Sequence, residues 1–217
     1  MSRIAVILTA AGSGTRLGAD IPKAFVPVAG IPIVVRAALL FTDMQLVVTA
    51  PAGYEDDMRS LLAEAGIDAT VVAGGASRAE SVLAGLSALD DSVDSVLVHD
   101  AARCFTPLSV IVTVREAALS GESVVPVIPV TDSVRILNGN FLGDVVDRNS
   151  LVALQTPQGF NRAVLQRAFD AAIERGDLAA ATDESSLVSA MGESVRQVQG
   201  DASNIKITTD EDLRAAH

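Results

Sequence analysis

Cysteine is almost missing from this chain of 217 residues, where Cys104 stands alone. An internal disulfide and a metal centre built from cysteines are therefore excluded, and the scarcity fits a reducing, cytoplasmic setting. Long hydrophobic runs are missing too. Apolar residues make up 49% of the chain, but none of their short runs reaches the roughly 18 residues that a spanning helix needs. The N-terminal apolar run could pass for a weak secretory leader. The charged, glycine-rich stretch behind it fits a buried strand entering a loop better, so neither secretion nor a membrane is expected. Positive charge is scarce, with 16 Lys and Arg against 27 Asp and Glu, a formal net charge of −11. Such a surface repels a phosphate backbone, which argues against nucleic acid as a partner. If the substrates are themselves polyanions, the few cations of the site must be concentrated locally. Linkers, low-complexity tracts and repeats are absent, so a single domain is expected over residues 1–217, with a globular composition of 20% charged residues.

What is present is an alternation of short and long periodic segments. Runs rich in Val and Ile at 4–8, 46–49, 69–72, 95–99 and 123–127 read as strands that are apolar on both faces. Amphipathic stretches at 32–41, 55–65, 78–89 and 108–119 lie between them as helices, two of them closed by Gly66 and Gly121. The order predicts an α/β fold with an open, mainly parallel sheet, right-handed connections and helices on both faces. Ligands in such sheets bind outside the carboxyl ends of the strands.

The alternation breaks at 131–147. Two strand-like runs flank Asn138-Gly139, the strongest two-residue turn signal available, and predict a β-arm over about 133–147. A lone hairpin rarely holds itself up in water. Either the arm projects and packs on a second subunit, making a homodimer, or it folds back on its own domain. Beyond it, a strand at 152–155, helices at 162–175 and 184–190 and a strand at 195–199 are expected. Thr208 and Glu211 have the spacing of a capping box that opens a last helix.

The first strand runs into Thr9-Ala10-Ala11-Gly12-Ser13-Gly14-Thr15-Arg16-Leu17-Gly18, followed by Pro22-Lys23. Small residues let the backbone approach a ligand, and successive amides can cradle an anion. Arg16 and Lys23 add two fixed positive charges, which favours phosphate binding over a mere tight turn. A dinucleotide fingerprint would need a third glycine where Leu17 stands, and a Walker loop would need a closing Gly-Lys-Ser/Thr. Neither is present.

Four further stretches accompany that loop: Gly74-Gly75-Ala76-Ser77-Arg78-Ala79-Glu80-Ser81-Val82, Val98-His99-Asp100-Ala101-Ala102-Arg103, Asp147-Arg148-Asn149 with Gln155-Thr156-Pro157-Gln158, and Ile205-Lys206-Ile207-Thr208. Together the five resemble the 2-C-methyl-D-erythritol 4-phosphate cytidylyltransferase family of the non-mevalonate isoprenoid pathway. The resemblance implies transfer of a cytidylyl group from CTP to the polyol phosphate, with release of pyrophosphate. It implies a divalent cation, usually Mg²⁺, held mainly by the CTP phosphates and without a dedicated protein site. Ala10, Ala11, Gly12 and Gly14 would line the CTP, while Gly75, Ser81 and Ala101 would hold cytosine and ribose. Arg16 and Lys23 would be catalytic, gripping the triphosphate and the transition state. Asp100, Arg103, Ser133, Arg148, Thr156 and Lys206 would position the polyol phosphate. Four positions depart from the family pattern: Ala24 for glutamine, Ser133 for threonine, Ala76 for an often acidic residue and Cys104 for proline. None removes a charge from the phosphates.

The chemistry suits these residues. A phosphate monoester, with a second pKa of about 6, is already mostly dianionic at neutral pH and needs no general base. No His, Cys or Ser stands in an activated arrangement, in keeping with that. The remaining task is electrostatic, and five basic side chains (Arg16, Lys23, Arg103, Arg148 and Lys206) are expected to converge on two anionic reactants. Arg78, Arg162 and Arg175 read as solvated charges, with Arg78 alternatively bracing the Gly74-Gly75 loop. His99 reads as structural and Cys104 as a small buried hydrophobe. The rival within the class is a ribitol 5-phosphate or other polyol-phosphate cytidylyltransferase. A nucleotide-binding regulatory or scaffold protein without turnover is the rival outside it, although a sensor needs fewer cations.

Overall fold

The computed structural model describes residues 3–12 and 21–215. Strand β1 (Arg3–Thr9) shows why the molecule is layered. Ala5 and Ile7 are buried in one hydrophobic cluster and Val6 and Leu8 in another, as alternation along a strand requires. A strand apolar on both faces needs cover on both.

A short ladder of β2 (Pro27–Val28) and β3 (Ile31–Pro32) leads into α1 (Ile33–Ala38), which continues as a 3-10 turn, Leu39–Phe41. Then follow β4 (Gln45–Ala50), α2 (Glu55–Glu64), β5 (Thr70–Ala73), α3 (Arg78–Ser87), β6 (Val93–Asp100), α4 (Leu108–Leu119) and β7 (Val124–Pro129). The hairpin strands are β8 (Val134–Asn138) and β9 (Phe141–Val146). The chain goes on through β10 (Val152–Leu154), β11 (Gln158–Asn161), α5 (Arg162–Arg175), α6 (Glu184–Ala190), β12 (Arg196–Gln199) and α7 (Asp210–Ala215). Helices α1, α2 and α4 pack on the face of Val6 and Leu8, whereas α3, α5 and α6 cover that of Ala5 and Ile7. Each fully buried Leu, Ile or Phe contributes about 1.5–3 kcal/mol, and the two layers hold most of them.

The main sheet has eight strands in the order β10-β7-β11-β6-β1-β4-β5, with β12 alongside β7. Pairs β1–β4, β1–β6, β4–β5 and β7–β12 are parallel, so the expected parallel sheet is there. Two antiparallel strands, β10 and β11, interrupt it. β11 lies outside the strands expected from the sequence: its Gln158-Gly159-Phe160-Asn161 carries one large apolar residue, too little for a period. It fits because Gly159 lies against α4 and β7, where a Cβ would come within 2.9 Å of Ala118 and Val124. The chain leaves β1 for β4 and β5 on one side, then returns to β6 on the other. That switch point is where a crevice opens.

Among the described residues the arm is a separate two-stranded sheet that pairs with no strand of the main one. Asn138 pairs with Phe141, so the turn is Gly139-Asn140 and not Asn138-Gly139. Gly139 takes a φ of 58°, the positive value that the first central position of a type II′ turn demands. The last helix also starts one residue later than expected. Thr209 Oγ1 accepts from the Asp212 N–H while the Asp212 carboxylate accepts from the Thr209 N–H, a capping box on Thr209 and Asp212. No helix among the described residues is long and apolar enough to cross a membrane.

Candidate active site

A cavity of about 460 Å³ opens at the carboxyl ends of β1 and β6. Three segments build it. Thr9 to Gly12 carry the chain out of β1, Gly75 to Arg78 enter α3, and Asp100 to Ala102 leave β6. Lys23, Lys206 and Thr208 close it. The glycine pair at 74 and 75 is required by close approach. A Cβ on Gly74 would lie 2.2 Å from the Ala11 Cβ, and one on Gly75 would lie 2.3 Å from the Glu80 Cβ. The start of α3 is fixed by a capping box between Ser77 and Glu80. Ser81 then holds the loop, accepting from the Gly75 N–H at 3.1 Å and donating to the Ser77 carbonyl at 2.9 Å.

Asp100 is the charged centre of the wall. Its Oδ1 accepts from Arg78 Nε at 3.0 Å and lies 3.2 Å from Thr9 Oγ1, and its Oδ2 meets Lys206 Nζ at 2.7 Å. Burial works against its charge, but Arg78 and Lys206 overcome that and hold the carboxyl well below the usual range. Lys23 donates to the Ile207 carbonyl, so both lysines meet the segment around Ile207. Three cations, Lys23, Arg78 and Lys206, thus line one cavity with small residues and a fully engaged carboxylate.

Behind that wall sits His99, fully buried at the end of β6. Nε2 is 3.2 Å from the Arg103 carbonyl and must donate, which leaves Nδ1 to accept from Thr156 Oγ1 at 3.0 Å. The same hydroxyl accepts from the Asp100 N–H at 3.1 Å. A neutral ring satisfies every partner, and burial, which outweighs the pull of Asp100, lowers its pKa to about 4. His99 is structural, as the sequence indicates. Cys104 is buried, and burial raises its thiol to about 11.

Ala10, Ala11, Gly12, Lys23, Gly75, Ser81, Asp100, Ala101 and Lys206 all line the cavity. Gly14 and Arg16 lie outside the described residues. The convergence of cations is narrower than the five expected. Arg103 is committed to the carbonyls of Asn204 and Leu154, at 2.6 and 3.2 Å. Arg148 donates to the Thr131 carbonyl at the exposed base of the arm, with Ser133 nearby in sequence and equally exposed. Thr156 is buried behind Asp100, its hydroxyl occupied. None of these four lines the cavity. Arg78 is no solvated charge: it lines the cavity and bridges Asp100 to Glu184. Arg162 likewise donates to the Asp90 carbonyl at 2.6 Å. Glu184 escapes sequence reading because it opens a short helix and lies 106 residues from its partner.

Among the described residues no three carboxylate, His or Cys side chains cluster as a metal site. Both oxygens of Asp100 are taken by cations.

The family model described as IspD, 2-C-methyl-D-erythritol 4-phosphate cytidylyltransferase, matches residues 4–217. The chain is 40% identical to the protein of that description from Corynebacterium diphtheriae, over 99% of this chain and 92% of the relative. It is 45% identical to the bifunctional enzyme IspD/IspF of Clavibacter michiganensis over 99% of its own length, but spans only 53% of that relative. The crystal structure of the Thermus thermophilus 2-C-methyl-D-erythritol 4-phosphate cytidylyltransferase superposes with a TM-score of 0.84 at 35% identity, covering 100% of this chain and 97% of the other. With the switch-point cavity at the ends of β1 and β6 and its two lysines beside the segment of Ile207, the chain belongs to the 2-C-methyl-D-erythritol 4-phosphate cytidylyltransferase family, the cytidylyltransferases of non-mevalonate isoprenoid synthesis.

Proposed function

We propose that the chain works as one nucleotidyltransferase domain in the cytoplasm, transferring the cytidylyl group of CTP to 2-C-methyl-D-erythritol 4-phosphate. The observation that carries this reading is a cavity bearing Lys23 and Lys206 at the carboxyl ends of β1 and β6, in a chain of net charge −11. Local cations against an acidic background suit two anionic reactants.

A phosphate oxygen of the polyol phosphate attacks the α-phosphorus of CTP, a new P–O bond forms, and the bond to the β-phosphate breaks to free pyrophosphate. The nucleophile is already deprotonated, so the protein positions and neutralises. Ala10, Ala11, Gly12 and Gly14 line the triphosphate, with Gly75, Ser81 and Ala101 against ribose and base. Arg16 forks onto phosphate oxygens while Lys23 acts as a point charge. Asp100 and Lys206 order the polyol phosphate, with Arg103 and Thr156 bracing that wall from behind. With no three metal-ligating side chains clustered among the described residues, a divalent cation such as Mg²⁺ would be held by the CTP phosphates and would supply charge neutralisation for the leaving group.

Ser133 and Arg148 sit at the base of an arm whose Phe141, Leu142 and Val145 are more than two-thirds exposed. Packing that arm on a second copy buries this surface and accounts for two polyol-phosphate residues that do not line their own chain's cavity. A homodimer follows from this reading.

Incubation with CTP, Mg²⁺ and a panel of polyol phosphates tests the assignment. Pyrophosphate release that depends on methylerythritol phosphate is expected. Release with ribitol 5-phosphate alone would move the chain to its rival, and CTP binding without release across the panel would refute an enzyme.

A further inference from the structure

Glu184 is fully buried in the first turn of α6 and does not line the cavity. Its Oε1 accepts from Arg78 Nη1 at 2.7 Å, while its Oε2 is buried with no hydrogen-bond partner among the described residues. A half-satisfied buried carboxylate is costly, and an apolar side chain of similar size would serve packing better. The acid therefore has a task beyond filling space.

Its place shows the task. The Asp183 carboxylate caps α6 by accepting from the Ser186 N–H, and Gln158 of β11 accepts from the Ser185 N–H at 3.1 Å. Glu184 is thus anchored to the sheet. Arg78 presents one edge of its planar fork to Glu184 and another to Asp100, so two carboxylates fix the plane of one guanidinium. Asp100 in turn holds Lys206 on its other oxygen. We propose that Glu184 is a positioning residue for cytidylyl transfer: it locks Arg78 against Asp100 and thereby sets where Lys206 stands in the cavity. The role rests on the functional reading above and adds to it a residue outside the cavity.

The test is a double-mutant cycle of E184Q, R78Q and the pair, each checked for folding by circular dichroism and melting temperature. Partners that orient a working group commonly matter by about ten- to hundredfold. E184Q is expected to lower kcat/KM for the polyol phosphate about tenfold, by the lower end of that range. The KM for CTP should stay unmoved, and the pair should be no worse than R78Q alone. A folded E184Q with parental KM and kcat for the polyol phosphate overturns the role, as do losses that multiply in the pair. If E184Q does not fold, E184D takes its place in the cycle: it keeps the charge but withdraws it by one methylene, and the same two outcomes decide. A parental chain that releases no pyrophosphate overturns the functional reading and this role together. Parental turnover with either contrary outcome removes the positioning role alone.

Discussion

His99 reaches no solvent, yet the Thr156 hydroxyl, which accepts from the Asp100 N–H, donates to its Nδ1 only while the ring is neutral. Its pKa in the folded protein is about 4, against an ordinary 6.5. Between those values the unfolded chain binds the proton and the folded chain does not. Stability therefore falls as pH drops from 6.5 to 4, by about 3 kcal/mol at most. Asp100 does not mask this, because its carboxyl is held low and its contribution is lost only at more acid pH. Urea midpoints at pH 7, 5.5 and 4.5 should fall in step, and a His99→Gln chain should show a flatter profile. A parental midpoint that does not move would contradict the neutral ring. At this scale the sequence is legible where chemistry has a local signature: Lys23 beside its glycine loop, and Asp100 closing an apolar strand. Arg78 and Glu184 have no such signature, because a charge reads as solvated until the fold supplies a partner from a distant helix.

Among the elements, helices α4, α5 and α6 match the segments expected from periodicity, and the C-cap at Gly176 takes a φ of 74°. β11 is hidden in the sequence because a short strand with a glycine and two polar ends has no pattern of its own; the neighbouring strands and α4 define it. Gly159→Ala should accordingly destabilise by about 1–3 kcal/mol, since the added methyl meets Ala118 and Val124 at 2.9 Å. The denaturation midpoint reads this out, and a parental midpoint would mean that α4 can move aside. Asn161 caps α5 by accepting from the Ala163 and Val164 N–H groups. Its replacement by alanine should cost about 1 kcal/mol in the same assay. The turn of the arm and the start of α7 each differ by one residue from the sequence pattern, because competing residues with the same chemistry stand close together: Asn138 and Asn140 on either side of Gly139, and Thr208 next to Thr209.

For the whole molecule, two features set the behaviour: an acidic chain with cations gathered in one cavity, and an arm that exposes apolar side chains. The arm has Leu137, Phe141 and Leu142 at 70% exposure or more, a surface that marks an interaction site. If the proposed homodimer forms through the arm, Phe141→Lys with Leu142→Lys should halve the mass seen by solution scattering, and a mass equal to the parent's would remove the arm from that proposal. The gathered cations matter most for the chemistry. An acidic exterior offers the triphosphate nothing, and in the proposed function Arg16 and Lys23 supply the charge that cancels repulsion at the α-phosphorus. The most direct measurement is the rate of pyrophosphate release by Lys23→Ala and Arg16→Ala chains that melt at the parental temperature. A loss of about 3 kcal/mol in transition-state stabilisation, roughly a hundredfold in rate, is the outcome expected for each. Near-parental rates would contradict it.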